Sequence, residues 1–96
     1  MERSDFIDFL RVQKRYSIRT QSIYNHAITD FYNFMDFQKE DNPMKEVSLN
    51  HLRAYTGWLL EQGLSPATVY QRLSALSSYC NYLVRKGKLP DNPLKL

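Results

Sequence analysis

The chain has 96 residues, of which 43% are hydrophobic and 24% are charged, a composition typical of one globular domain. It contains a single cysteine, Cys80, which excludes an intramolecular disulfide and favours a reducing, cytoplasmic setting. No apolar stretch is long enough to span a bilayer, and the acidic residues near the start are atypical of a signal peptide. We therefore expect no membrane partner.

Positive charge is concentrated toward the carboxyl end of the sequence. Residues 1–63 carry eight basic and nine acidic side chains, a net charge of −1, whereas residues 64–96 carry five basic side chains and one acidic one, a net charge of +4. This asymmetry is typical of a surface that faces a polyanion. Basic residues at helix ends also stabilise the helix dipole, so the charge alone leaves both interpretations open.

The first two predicted helices each follow a serine, whose side chain can accept a hydrogen bond from a backbone N–H of the first turn. The first helix is expected from Ser4, as its N-cap, to about Arg15. The second is expected to begin after Ser17, to run to about Gln38, and to be stopped by the proline of the segment KEDNP. Apolar residues recur along its inner face at helical spacing: Tyr24, Ile28, Phe31 and Met35.

The third and fourth predicted helices complete an all-α pattern. The third starts behind Ser48 and continues to about Gln62. The fourth has the strongest start signal, because Ser65 can act as N-cap and Pro66 suits the first helical position. Its apolar stripe comprises Val69, Leu73, Leu76, Cys80 and Leu83. Since no strand-like alternation occurs, the sequence predicts a compact four-helix bundle.

No catalytic, cofactor or metal motif is evident. His26 and His51 have no cysteine or carboxylate neighbours at metal-ligand spacing, and His51 suits either a helix surface or the core edge. The three glycines form no phosphate-binding loop, and no serine lies in a nucleophile elbow. We therefore expect a non-catalytic domain that uses no cofactor and no metal.

Three stretches together resemble the core-binding domain of phage-integrase-type tyrosine recombinases: FIDFLRVQKRYSIRT, the spacing Y-x-x-x-I-x-x-F over residues 24–31, and GLSPATVYQRLSALSSYCNYLVRKGKLPDNP. The last is similar to the family pattern G-x-S-x-x-T-x-x-x-x-L-S-A-L-R-x-F-Y-x-Y-L with its closing Asn-Pro. Two departures stand out, Ser77 in place of a frequent arginine and Asn25-His26-Ala27 in place of a more charged run. Both indicate fewer phosphate contacts or a different sequence preference.

The resemblance implies a SAM-like helical DNA-binding domain over residues 1–88 and, in residues 89–96, the start of a linker to a catalytic domain that the chain lacks. In this family the two domains clamp the duplex, and helices two and four of the helical domain lie across the major groove, which is wide enough to admit a helix. The implied partners are double-stranded DNA and further recombinase protomers in a synaptic assembly of the full-length protein. The isolated domain is expected to be monomeric.

The resemblance further implies a DNA contact surface on helices two and four. The expected contact residues are Arg19, Thr20, Ser22, Asn25 and His26 from helix two, and Thr68, Gln71, Arg72 and Ser78 from helix four. Helical spacing places Ser22, Asn25 and His26 opposite the apolar stripe of helix two, and Gln71 and Arg72 away from the stripe of helix four. By their side-chain chemistry, Asn25 and Gln71 can pair with adenine and Arg72 with guanine. An exposed arginine or glutamine on a helix is also ordinary solvated surface.

Two other functions compete with DNA binding. A protein-interaction bundle would present Trp58, Tyr70 or Tyr82 as an exposed apolar patch for a partner helix. A stand-alone helix-turn-helix-like regulator would need to dimerise in order to space its half-sites, and the sequence shows no dimer seam.

Overall fold

The computed structural model describes residues 2–37 and 43–94, and within these ranges the chain is helical with no strand. The α-helices are α1 (Glu2–Val12), α2 (Ile18–Met35), α3 (Leu49–Glu61) and α4 (Pro66–Arg85). A short 3₁₀ helix, Pro43–Glu46, lies between α2 and α3. The all-α, four-helix architecture predicted from the sequence is confirmed.

The helices α2 and α4 begin with the same serine–threonine cap. The Oγ atom of Ser17 accepts a hydrogen bond from the backbone N–H of Thr20 at 3.2 Å. The Oγ atom of Ser65 likewise accepts from the N–H of Thr68 at 3.2 Å, and Pro66 occupies the first position of α4. Because each cap satisfies one of the backbone donors that a helix start leaves open, both predicted starts are confirmed.

The segment before α3 contributes both a cap and part of the core. Ser48 accepts from the N–H of His51, and Nδ1 of His51 accepts from the N–H of Ser48 at 3.0 Å, which completes a capping box. His51 is therefore an exposed capping residue. The 3₁₀ helix, which the sequence did not predict, contributes Met44 to the core, and Val47 is buried just after it.

The predicted limits of α1 are wrong at both ends. Ser4 is not an N-cap, because the helix already begins at Glu2. The guanidinium of Arg3 donates a 2.7 Å hydrogen bond to Oγ1 of Thr29, which attaches the first turn of α1 to α2. At the other end the helix stops before Arg15, whose φ of 55° is left-handed and cannot continue an α-helix.

The helix α2 ends at Met35, earlier than the predicted end at Gln38, which lies outside the described residues. Asp36 adopts a left-handed conformation with φ 55°. The N–H of Phe37 then bonds back to the carbonyl of Tyr32 at 3.1 Å, and the two rings pack edge to face at 5.5 Å. This hydrogen bond and this apolar contact are typical of a Schellman ending, which the sequence signal at the later proline did not reveal.

The core is formed by apolar residues from every helix. Its largest fully buried side chains are Tyr55, Tyr79, Phe6, Phe31, Leu10, Ile28, Met44, Leu59, Leu76, Leu83 and Cys80. Burial of this kind contributes about 1.5–3 kcal/mol for each large aliphatic or aromatic side chain. Burial also raises the pKa of the Cys80 thiol to about 12, so Cys80 is a neutral packing residue at physiological pH.

Tyr82 is not the exposed aromatic residue that the interaction hypothesis expected. It is buried, because its ring packs against Phe6 at 5.3 Å and Phe9 at 5.2 Å between ring centroids. Trp58 is half-buried and stacks on Tyr55. Tyr70 alone of the three expected residues is exposed.

The segment after α4 is packed against that helix. Leu89 and Leu94 are buried, and Asn92 lies between them with its side chain fully bonded. The amide nitrogen of Asn92 donates to Oγ of Ser77 at 3.1 Å and to Oδ1 of Asn81 at 2.9 Å, and its Oδ1 accepts from the N–H of Leu94. The packed structure thus extends six residues beyond the domain end predicted at residue 88, and the linker role of residues 89–96 stays a prediction.

Replacing Ser65 with alanine removes the side-chain acceptor in the first turn of α4. We expect the free energy of unfolding to fall by about 1 kcal/mol, the usual loss for a serine N-cap, as measured by urea denaturation followed by circular dichroism. The control is Ser4→Ala, which alters an exposed serine within α1 and should change stability by less than about 0.5 kcal/mol. Equal losses in the two variants would contradict the capping assignment.

Candidate nucleic-acid interface

The first halves of α2 and α4 enclose an open cleft of about 570 Å³. We call it the α2–α4 cleft; it is lined by Arg19, Ser22, Ile23, His26 and Ala27 from α2 and by Thr68, Gln71 and Arg72 from α4. Six of the nine residues expected to contact DNA therefore lie together, all of them except Thr20, Asn25 and Ser78.

The other three expected contact residues lie outside this cleft. Thr20 is part of the α2 cap, where its Oγ1 accepts from Oγ of Ser17 at 3.0 Å. Asn25 is exposed on α2 but does not line the cleft. Ser78 is half-buried farther along α4, in a second cleft that also contains Tyr24.

The charge of the α2–α4 cleft favours an anionic ligand. No acidic side chain lines it, and neither α2 nor α4 has an acidic residue in its first turn. The N-terminal end of a helix carries a partial positive charge, from the helix dipole, that attracts anions. Arg19 adds an exposed positive charge at the start of α2.

Arg72 lies in the cleft but is held by an ion pair. Its NH1 atom is 2.7 Å from Oδ2 of Asp30, and the two side chains are only 22% and 26% exposed. The hydroxyl of Tyr55 donates to the same Oδ2 atom at 2.6 Å. Burial, reinforced by the Asp30 carboxylate, raises the pKa of Tyr55 well above its usual value, so the phenol remains a donor. The expected contact between Arg72 and guanine stays a prediction. The ion pair restricts it, because part of the Arg72 guanidinium is already bonded to Asp30.

Sequence reasoning missed Asp30 and Tyr55. Asp30 follows His26 by four residues, so it lies on the same side of α2 as the cleft, and this spacing was visible in the sequence. Its partners were not visible, because Arg72 and Tyr55 belong to two other helices and meet Asp30 only through packing.

That Ser77 marks a lost phosphate contact stays a prediction, but its position shows which contacts this residue makes in the fold. Ser77 does not line the α2–α4 cleft; it lines a groove between α3 and α4 together with Leu73 and Leu94. Its Oγ accepts the hydrogen bond from Asn92. The residue at this position therefore anchors the segment after α4.

The described ranges offer no other obvious chemistry. No group of three or more histidine, cysteine, aspartate or glutamate side chains is placed there to hold a metal ion. None of the helices described has the length and apolar character that a membrane span requires.

The Asp30–Arg72 pair should show measurable coupling in a double-mutant cycle of Asp30→Asn and Arg72→Gln. We expect each single variant to lose stability and the pair to couple by about 1–2 kcal/mol, because both groups are largely removed from water. Urea denaturation measures all four proteins. The internal control is the Asp8–Arg11 pair, which is 3.4 Å apart with side chains 65% and 60% exposed. It should couple by less than about 0.5 kcal/mol, and equal coupling in the two pairs would contradict the structural role of Asp30.

Comparison with known proteins assigns the family. Residues 3–88 match the family model described as phage integrase, N-terminal SAM-like domain. The chain is 37% identical over 91 residues to "Tyrosine recombinase XerC" of Bacillus pumilus and 31% identical over 91 residues to the protein of that name from Bacillus subtilis. A third such protein, from Anoxybacillus flavithermus, is 29% identical over 91 residues.

Each of these alignments covers 95% of the chain and 30% of the relative, so the chain spans about a third of the length of these proteins. No solved structure matches the chain. The four-helix order of the structure agrees with the match over residues 3–88. The chain belongs to the family of SAM-like, N-terminal core-binding domains of phage-integrase-type tyrosine recombinases.

Proposed function

We propose that this chain is a DNA-binding domain of a tyrosine recombinase and that it contacts duplex DNA through the α2–α4 cleft. This proposal depends mainly on one observation. Two capped helices begin beside one cleft, which is lined by six polar side chains, two of them arginines, and by no carboxylate. Helix starts of this kind bind phosphate, and side chains that project from them reach base edges in the major groove.

Each lining residue has a role that suits its exposure. Arg19 is exposed at the start of α2, where it suits a phosphate contact. Gln71 is exposed on α4 and presents an amide that can pair with adenine, and His26 faces it from α2. Ser22 is exposed and offers a short hydroxyl donor, whereas the hydroxyl of Thr68, like that of Thr20, lies within hydrogen-bond distance of its cap serine, Ser65, at 3.1 Å.

Arg72 and the expected contact residues outside the cleft have roles other than a direct contact within it. Arg72 holds α4 against α2 through Asp30, so it orders the cleft in addition to any contact with guanine. Thr20 acts through the α2 cap, and Asn25 contacts DNA only if the duplex extends past the cleft along α2.

The domain's partners follow from the family. The relatives are named tyrosine recombinases and are about three times as long as this chain. We assign strand cleavage and rejoining to a separate catalytic domain, which this domain positions by clamping the duplex from the other side. Residues 89–96 would lead toward that domain, and full-length protomers would assemble around paired DNA sites.

A second candidate function is supported by the groove between α3 and α4. This α3–α4 groove, of about 650 Å³, has a mainly apolar lining that includes Leu49, Leu52 and Tyr70. Leu49 is 50% exposed and Tyr70 is 66% exposed, which suits contact with an apolar helix of another protein. The two functions use different faces of the molecule, so one experiment distinguishes them.

The test compares duplex binding by two double variants. We expect His26→Ala with Gln71→Ala to weaken binding of a mixed-sequence duplex by about tenfold at low salt, or about 1.4 kcal/mol, measured by fluorescence anisotropy. Arg72 is left intact because its removal would also disturb the packing of α2 on α4. The control, Leu49→Ser with Tyr70→Ser, alters the α3–α4 groove and should leave the affinity unchanged. Absence of binding by the unaltered chain, or equal weakening by both variants, would contradict the proposal.

A further inference from the structure

A second polar cleft, of about 370 Å³, lies between the end of α1 and the second half of α4. We call it the α1–α4 cleft. Its polar lining consists of Lys14, Tyr16, Tyr24, Ser78, Asn81 and Arg85, and no acidic residue lines it. Nothing in the proposed contact through the α2–α4 cleft accounts for this concentration of positive charge and hydroxyl groups.

Two cations share one aromatic ring at this cleft. The guanidinium of Arg85 lies 5.0 Å from the ring centre of Phe9, and the ammonium of Lys14 lies 5.9 Å from the same centre. Both side chains are exposed, and no ion pair joins either of them to a carboxylate in residues 2–37 or 43–94. Neither positive charge is therefore offset by a carboxylate, and a bound anion would be attracted by both.

The neighbouring cleft on the other side of α1 differs because acidic as well as basic side chains line it. It contains two acidic side chains, Asp5 and Asp8, and two basic ones, Lys86 and Lys88. Arg11, one turn after Asp8, is paired with that carboxylate at 3.4 Å. The contrast shows that positive charge at the ends of α1 and α4 is locally balanced on one side and unbalanced around Lys14 and Arg85.

The hydroxyl groups of the α1–α4 cleft suit a phosphate. The rings of Tyr16 and Tyr24 lie 5.8 Å apart, and burial raises the pKa of Tyr24, while a hydrogen bond with Ser78 acts in the opposite direction. The phenol of Tyr24 is therefore neutral at physiological pH, and its hydroxyl and that of Ser78 can each donate a hydrogen bond. Two cations flanked by neutral hydroxyl donors match the negative charge and the acceptor oxygens of a phosphate group.

The α1–α4 cleft and the α2–α4 cleft are both lined by residues of α4. Gln71, Ser78 and Arg85 are spaced seven residues apart, which places them along one side of the helix. At about 1.5 Å per residue, Arg85 lies about 21 Å from Gln71 along the helix axis. A duplex that contacts Gln71 can therefore extend along the same side of α4 toward Ser78 and Arg85.

We propose that Lys14, Ser78 and Arg85 bind a backbone phosphate of the duplex that occupies the α2–α4 cleft. This inference rests on the proposed function and extends it: the α1–α4 cleft adds a contact that is independent of base sequence and fixes the orientation of the domain on DNA. It also gives Ser78 a phosphate contact outside the α2–α4 cleft.

The experiment compares two variants that each lose two positive charges, Lys14→Gln with Arg85→Gln and, as the matched control, Arg11→Gln with Lys86→Gln. Glutamine keeps part of each aliphatic stem, and circular dichroism verifies that both variants fold. Anisotropy titrations with a mixed-sequence duplex over a range of salt give the slope of log affinity against log salt. We expect the first variant to bind about fivefold to tenfold more weakly at low salt and to lose about one unit of slope, as for one phosphate contact. The control should change affinity by less than about twofold, since it alters only long-range charge.

A titration of the labelled chain with inorganic phosphate, followed by NMR, distinguishes a DNA contact from a site for a free anion. We expect phosphate to shift the amides of Lys14, Ser78 and Arg85, and the shifts to be absent in the Lys14→Gln, Arg85→Gln variant. Equal duplex binding by the two variants overturns the inference but leaves the proposed function standing, whether or not phosphate shifts these amides. Failure of the unaltered chain to bind any duplex overturns the proposed function, and the inference with it. If the double variant does not fold, Lys14→Gln against Arg11→Gln gives the same comparison.

Discussion

The carboxylate of Asp30 is the contact on which the α2–α4 cleft depends, because it joins three helices at one atom. Its Oδ2 accepts from Arg72 of α4 and from Tyr55 of α3, while Asp30 itself belongs to α2. Apolar packing alone leaves helices some freedom to slide, whereas a half-buried ion pair with a second donor fixes their relative position. The two capped helix starts thereby face the same cleft.

The Asp30–Arg72 ion pair fixes the position of Arg72 but reduces the net positive charge of the α2–α4 cleft. Pairing Arg72 with Asp30 places its guanidinium in the cleft but offsets part of the positive charge that would attract DNA. The exposed positive charge therefore has to come from other residues. Arg19 supplies some of it at the start of α2, and Lys14 with Arg85 supply more at the α1–α4 cleft. Binding that relies on a few such contacts is expected to be weak and to fall as salt rises, with a slope set by the number of phosphates contacted.

The sequence predicted the helix starts that depend on the chemistry of neighbouring residues. The starts of α2, α3 and α4 follow from serine caps, and the fourth helix was further marked by Pro66. The start of α1 was missed because a contact from Arg3 to a distant helix outweighs the cap signal at Ser4. Tyr82 was misplaced for a related reason, since aromatic partners on α1 bury a residue that lies at the edge of the apolar stripe of α4.

The candidate site was also predicted only in part: its residues were identified, but their contacts were not. Helical spacing and family resemblance identified six residues that the fold brings into one cleft, such as Ser22 and Gln71. Neither indicated that Arg72 is ion-paired or that Ser78 belongs to another cleft, because both facts depend on how α2 and α1 pack against α4.

The most direct test of DNA binding through the α2–α4 cleft is an NMR map of the backbone amides that a mixed-sequence duplex shifts. If DNA binds in the α2–α4 cleft, the largest, salt-sensitive shifts fall in residues 17–26 and 65–72. The largest shifts along the α3–α4 groove, with no shift in those residues, would contradict this binding mode.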